Sequence, residues 1–233
     1  MPSPERTVLI TGAAGRLGHA VAATFASQGA HLVLLDRQQA ALDAAFGTQA
    51  DALRLAADLL DRAQTQAAVA AAIQRFGRID VLCHIAGGFR MGEPVHETSD
   101  ADWDFLFNIN TRTLLNIARA VVPQMIVQGG GKIITVGAFA AQRGAARMGA
   151  YTASKSATIR LTEAMSAELR ERHINVNCVL PTIIDTPENR ASMPTTDPAR
   201  WVAPAALADV IAFLASDAAR AVHGAALPVS GLS

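Results

Sequence analysis

Residues 7–18, TVLITGAAGRLG, run a short apolar stretch straight into a turn carrying glycines at 12, 15 and 18, and then into an alanine-rich segment. That junction restricts the fold more than any other feature of the chain. An apolar run with no polar alternation is a strand covered on both faces, which requires a sheet with helices on either side. The glycines let the backbone turn tightly and approach a neighbour closely. The helix opening just after them offers free N–H groups and partial positive charge, a setting that holds a pyrophosphate. The bland alternative for the same residues is a plain strand-to-helix turn.

The rest of the chain decides in favour of a repeated pattern. Strands are expected at Thr7–Thr11, His31–Asp36, Ala52–Ala57, Ile79–Ala86, Lys132–Val136, Ile174–Leu180 and Ala225–Val229. Helices are expected at Leu17–Ser27, Gln38–Phe46, Arg62–Phe76, Asp102–Val127, Gly149–Arg172 and Pro204–Ser216. Strands joined by crossover helices imply a parallel sheet, and right-handed crossovers wind it doubly. The expected fold is therefore α/β, a single-domain Rossmann-type doubly wound parallel sheet of about seven strands with helices on both faces. Its 233 residues suffice for one such domain, and no linker divides them. The longest irregular stretch, 187–204 (PENRASMPTTDPARWVAP), follows the sixth strand and is expected to lie over the crevice as a substrate lid.

Composition narrows the partners. Twenty basic and twenty acidic residues give zero formal charge, with no basic block to hold nucleic acid. No run of about 20 apolar residues is present to span a membrane, and the N-terminal residues lack the apolar core of a secretion signal. The first few residues read as a floppy tail. Cys83 and Cys178 lie in apolar runs and read as core thiols, which fits a reducing, cytoplasmic setting.

Several residues converge on the carboxyl ends of the strands. Gly12, Gly15, Arg16, Leu17 and Gly18 form the candidate phosphate turn. Asp36, closing strand two, can accept from ribose hydroxyls and would repel a 2′-phosphate, which favours NAD(H) over NADP(H). Arg16 and Arg37 pull the other way and keep NADP(H) possible, although Arg37 can instead stack on adenine. Asp36 has a second reading as a cap for the next helix. Asp58 and Leu59 can flank the adenine, and Ala86, Gly87 and Gly88 leave room where a cofactor would pass the sheet edge. Each of these has a bland alternative as turn chemistry.

Tyr151 and Lys155 share a helix face at i, i+4 spacing, and Tyr151 is the only tyrosine. A phenol beside an ammonium is expected to fall from a pKa of about 10 toward working pH. It would then exchange a proton with a substrate oxygen while hydride moves.

Taken together, Thr11–Gly18, Asp36, Asp58, Ala86-Gly87, Asn110 in FNINT, Tyr151–Lys155, and Pro181 with Thr186 make the chain resemble the short-chain dehydrogenase/reductase family over nearly its full length. The resemblance implies that Asn110 sits mid-helix and frees a main-chain carbonyl for a water in a proton relay from Lys155. It also implies that Lys155 holds the cofactor ribose, and that Pro181, Ile183 and Thr186 meet the nicotinamide end. It implies a homo-oligomer, a dimer or a tetramer, packed through Asp102–Val127 and Gly149–Arg172. The chain departs from the family in two places. Arg16 stands where single-domain members more often carry glycine. Ala138, thirteen positions before Tyr151, stands where they carry a serine. One such donor is worth roughly 2.7–4 kcal/mol of transition-state stabilisation.

Within the family, the second half resembles the dihydropteridine reductases. The likeness lies in Ala86–Phe89, VGAFAA at 136–141, LPTIIDTPENRASMP at 180–194, and Trp201. It implies NADH-dependent reduction of a quinonoid ring, on which Phe89 could stack; core packing or loop anchoring is the other reading of Phe89. A general carbonyl or alcohol oxidoreductase and a dinucleotide-binding sensor without chemistry are the competing readings. A sugar-nucleotide epimerase, suggested by the glycine spacing alone, lacks the chain length after strand six.

Overall fold

A computed structural model describes residues 6–47 and 51–233; the expected N-terminal tail lies outside them. Seven parallel strands form one sheet in the order β3-β2-β1-β4-β5-β6-β7. They are β1 (Thr7–Thr11), β2 (His31–Asp36), β3 (Leu53–Ala56), β4 (Val81–His84), β5 (Gly131–Val136), β6 (Ile174–Pro181) and β7 (Ala226–Val229). The order reverses at β1 and β4, so the crevice opens between their carboxyl ends, where open α/β sheets bind ligands.

The α-helices are α1 (Arg16–Ser27), α2 (Gln39–Phe46), α3 (Arg62–Phe76), α4 (Asp100–Phe107), α5 (Thr113–Val127), α6 (Gly149–Leu169), α7 (Pro187–Ser192) and α8 (Pro204–Leu214). Sequence punctuation explains several ends. Asp61 caps α3 by accepting from the N–H groups of Ala63 and Gln64, and Gly77 closes it at φ +77°. Pro204 opens α8, where its missing N–H costs nothing.

Alternate residues of each strand feed two cores. Val8, Ile10 and Leu34 pack with α1 and α8 on one face. Leu9, Val33 and Leu35 pack with α3 and α5 on the other. This two-sided burial is why the strands read as continuous apolar runs. Cys83 and Cys178 are both free and buried, and burial pushes each thiol up. Among the described residues no helix is long and apolar enough to cross a membrane.

Three expected elements differ. The single helix over Asp102–Val127 begins at Asp100 and is interrupted by a π-helical turn at Asn108–Arg112. The strand at Ile79–Ala86 is shorter, Val81–His84, because Ile85–Gly88 leave the sheet to line the crevice. The stretch 187–204 is less irregular than its composition suggests. Thr186 caps α7 with its hydroxyl, and a short 3-10 turn follows at Pro198–Arg200. Val202 then pairs with Ile184 beside β6, and Trp201 is buried, so the segment is pinned at its far end.

Candidate active site

The crevice is built first by its glycines. Gly12 adopts φ +64°, and a Cβ there would stand 2.9 Å from the backbone of Ala86. A Cβ on Gly18 would stand 2.2 Å from the Gly12 carbonyl, so α1 can pack on the turn only without a side chain. Gly15 is the N-cap of α1, with no side-chain cap and no acid in the first turn. The opening N–H groups of α1, at Arg16, Leu17 and Gly18, therefore remain available, which fits a dinucleotide pyrophosphate. Arg16 and Arg37 are exposed at the rim.

Asp36 is not a helix cap. Its Oδ2 accepts from Ala14 N–H at 3.1 Å and its Oδ1 from Arg37 N–H at 2.7 Å, while α2 has Gln38 as its N-cap and no side-chain cap bond. The carboxylate thus ties the end of β2 to the glycine turn. Asp58 folds its own loop, accepting from Leu60 N–H at 2.9 Å. Leu59 is buried, and its carbonyl accepts from Asn116 Nδ2 at 2.8 Å. Pro181 closes β6. The Ile183 carbonyl accepts from Val202 N–H at 2.8 Å, and Thr186 Oγ1 accepts from Asn189 N–H at 3.2 Å.

Asn110 lies buried in the π-helical turn, and its side chain clamps the crevice wall. Its Oδ1 accepts from Gly88 N–H at 2.9 Å, and its Nδ2 donates to the Gly88 carbonyl at 3.1 Å and to Ser154 Oγ at 3.0 Å. Its carbonyl accepts from Thr158 Oγ1 of α6 at 2.9 Å. The π turn re-aims this carbonyl out of the regular helical ladder.

Tyr151 and Lys155 are brought to the same wall by α6. Lys155 is buried and its Nζ donates to the Val136 carbonyl at 2.8 Å. A Cβ on Gly87 would stand 2.9 Å from that Nζ and 3.0 Å from Asn110 Oδ1. Gly87 therefore lies tight against both groups, and a side chain there would press on the Lys155 ammonium and the Asn110 amide. Tyr151 packs with Ala138, Ile159, Cys178 and Leu180, and Phe89 meets its ring edge-on at 4.8 Å. Beyond it lies a cavity of about 100 Å³ lined by Arg90, Asp102, Leu106, Arg147 and Met148.

The electrostatics correct one expectation. Burial pushes Tyr151 up to about 12 rather than down, and burial brings Lys155 down to about 8. Desolvation of the phenolate among apolar neighbours outweighs the lysine one turn away, whose ammonium is turned to a carbonyl. The phenol is thus held protonated near neutral pH. Ala138 is 5% exposed and offers only a methyl group at the position where a hydroxyl was missed.

Sequence reasoning did not find Ser154, Thr158 or His84, all buried beside these groups. Their small polar side chains carry no spacing signal; a histidine closing an otherwise apolar strand was the one visible sign. Phe89, by contrast, is 53% exposed, which removes core packing as its explanation. Among the described residues no cluster of three or more His, Cys, Asp or Glu is placed to hold a metal ion.

Comparison with known proteins gives a consistent result. The profile of the short chain dehydrogenase family matches residues 6–197. D-threitol dehydrogenase of Mycolicibacterium smegmatis is 34% identical, over 97% of this chain and 92% of that one. The solved 3-ketoacyl-(acyl-carrier-protein) reductase from Brucella melitensis, complexed with NADH, superposes with a TM-score of 0.88 at 30% identity, over 98% of each chain. NAD+-bound xylitol dehydrogenase superposes with a TM-score of 0.89 at 27% identity, over 97% of this chain and 98% of that one.

Proposed function

From the premise that this chain belongs to the short-chain dehydrogenase/reductase family and is an NAD(P)-dependent oxidoreductase, we propose that Tyr151, Lys155 and Asn110 are its catalytic residues. The observation that carries this reading is the convergence of Lys155 Nζ and Asn110 Oδ1 on the side-chain-free backbone at Gly87, with Tyr151 one helical turn away.

When bound, the nicotinamide supplies or takes up the hydride. In the reductive direction Tyr151, protonated, donates its hydroxyl proton to the substrate oxygen. Lys155 turns from the Val136 carbonyl to the ribose hydroxyls and stabilises the phenolate left behind. Asn110 offers its main-chain carbonyl to a water in a proton relay from Lys155, while its side chain holds Gly88 and Ser154. Gly12, Gly15, Arg16, Leu17 and Gly18 hold the pyrophosphate. Asp36 holds the adenosine ribose, Arg37 stacks on the adenine, and Asp58 and Leu59 flank it. Pro181, Ile183 and Thr186 meet the nicotinamide end, and the 187–204 segment covers the substrate. Asp36 makes NAD(H) the preferred cofactor. A cytoplasmic homo-oligomer, dimer or tetramer, packed through α4–α5 and α6, belongs to the same reading.

The substrate is a small carbonyl or alcohol, or a quinonoid ring. Ala138 favours the latter, because a conjugated acceptor spreads charge itself and needs only the Tyr151 donor. Phe89, half exposed against Tyr151, offers such a ring an apolar wall. NADH-dependent dihydropteridine reduction is therefore the second reading.

The test is turnover of ketones, alcohols and quinonoid dihydropterin with both cofactors by wild-type and Tyr151→Phe protein. NADH-dependent turnover that collapses in the variant supports the proposal. Dihydropterin left untouched overturns the second reading. Cofactor binding without turnover of any substrate replaces both with a dinucleotide sensor.

A further inference from the structure

His84 ends β4 directly beneath the candidate site and is 2% exposed. In the sheet it lies opposite Thr11 of β1 and Thr135 of β5. Its ring spans two hydroxyls. Nδ1 is 2.9 Å from Thr11 Oγ1 and Nε2 is 3.4 Å from Thr113 Oγ1, at the start of α5. Both hydroxyls have a further partner. Thr11 Oγ1 accepts from Ala86 N–H at 3.2 Å, and Thr113 Oγ1 donates to the Ile109 carbonyl at 2.7 Å.

Those outer partners settle the proton positions. A hydroxyl has one hydrogen. Thr113 commits its own to the Ile109 carbonyl, so it can only accept from His84, and Nε2 carries the ring proton. Nδ1 is then bare and takes the proton of Thr11. One oriented series results: Ala86 N–H to Thr11, Thr11 to His84, His84 to Thr113, Thr113 to the Ile109 carbonyl. It begins beside Gly87 and next to the glycine turn, and it ends one residue from Asn110.

We propose that His84 is a positioning residue, a neutral Nε2–H spacer that couples the glycine turn and Ala86 to the π-helical turn presenting Asn110. It is neither acid nor base in the reaction. A second proton would sit on Nδ1, which Thr11 fills as donor, and would place a second cation near buried Lys155. Burial, and then Lys155, hold the imidazole down to about 3. The charged groups around it reduce to Lys155 from α6; β1 and α5 present hydroxyls.

The proposal rests on the catalytic reading above only for its kinetic arm. Its first test is structural. Nitrogen NMR of the wild-type protein should show His84 as one Nε2–H tautomer, unchanged from about pH 5 to 9. Titration in that range, or an Nδ1–H tautomer, overturns the proposal. The second test reads the Gly88 amide, which donates to Asn110 Oδ1. In His84→Leu its hydrogen exchange should quicken about tenfold with amides of β6 unchanged. In His84→Asn, which keeps a donor and an acceptor, exchange should stay within about threefold of wild type. Equal protection in wild type and His84→Leu overturns the proposal. So does equal loss in both variants, which marks a space-filling role. If His84→Leu does not fold, the tautomer and the His84→Asn comparison decide. With a turned-over substrate in hand, His84→Leu should lower kcat about tenfold with the KM for NADH within about threefold. Failure of every substrate would remove the catalytic reading and leave the NMR and exchange arms standing.

Discussion

The Lys155 ammonium donates to the main-chain carbonyl of Val136 across 2.8 Å, at the point where β5 leaves the sheet. The contact gives one partner to a buried group with three donors. Burial accordingly brings it from 10.5 down to about 8, with Cys178 opposing weakly.

The Lys155 contribution to stability should therefore rise between about pH 8 and 10. Over that window the unfolded chain holds the lysine proton and the folded chain has released it, so higher pH favours folding. The opposite slope comes from Cys83 and Cys178, which ionise at about pH 9 in the unfolded chain and are held protonated by burial in the fold, and above about pH 10 from Tyr151, raised to about 12. Lys155→Met should be more stable than wild type at pH 7, by an amount on the order of 3 kcal/mol or less, and should lose the rise. Denaturant melts from pH 6 to 10 without cofactor check this; an unchanged slope would remove the buried-charge account. The same variant should be inactive.

Tyr151→Phe should lower kcat by about 10²–10⁴ while NADH binds within a few-fold of wild type. The phenyl ring retains the packing against Phe89 and Leu180, so the melting temperature should barely move. Fluorescence titration of NADH beside steady-state kinetics separates the two effects. Loss of binding instead would move Tyr151 from chemistry to cofactor support.

In the reductive direction kcat/KM should be level below pH 7 and fall as pH rises through about 8. Lys155 loses its proton there, and with it the charge that stabilises the departing phenolate. Tyr151 stays protonated throughout that range. Lys155→Arg, charged at every pH tested, should lose the fall and keep lower, level activity. A pH profile flat to 10 in wild type would detach Lys155 from the proton step.

Ala138→Ser restores a hydroxyl beside Tyr151. It should raise turnover of isolated ketones by about 10–10³-fold and leave quinonoid acceptors within about threefold. Paired kinetics on both classes check it. An equal gain on both would show that the wild-type site does not discriminate by the electrophilicity of its substrate.

Asp36→Asn keeps an oxygen for Ala14 N–H and removes the charge. NADH should weaken by about tenfold or less, and NADPH should tighten by about tenfold, with Arg16 and Arg37 then free to meet a 2′-phosphate. Titration of both reduced cofactors decides; unchanged NADPH affinity would acquit Asp36 of excluding it.

Much of this was legible in the chain. Strand-like runs ending in glycine or acid, alternating with helical spacing, imply the parallel sheet and its order of elements. The i, i+4 pair Tyr151–Lys155 needs nothing beyond helix geometry to share a face. The π turn at Asn108–Arg112 was not legible, because its residues continue the helical apolar pattern, and only packing against Gly88 and α6 makes one extra residue fit. Nor was the pinned 187–204 segment, whose proline-rich composition reads as loop until Val202 finds Ile184.

Local spacing determined the repeating fold, the open helix N-terminus at Gly15–Gly18 and the tyrosine–lysine pair, since each depends on residues a few positions apart. Tertiary structure alone decided which way burial drives Tyr151, where Asp36 spends its carboxylate and what His84 spans. Those outcomes depend on solvent exclusion and on partners as distant as Thr11, 73 positions from His84. Free energies of that kind arise only when far segments close around a group.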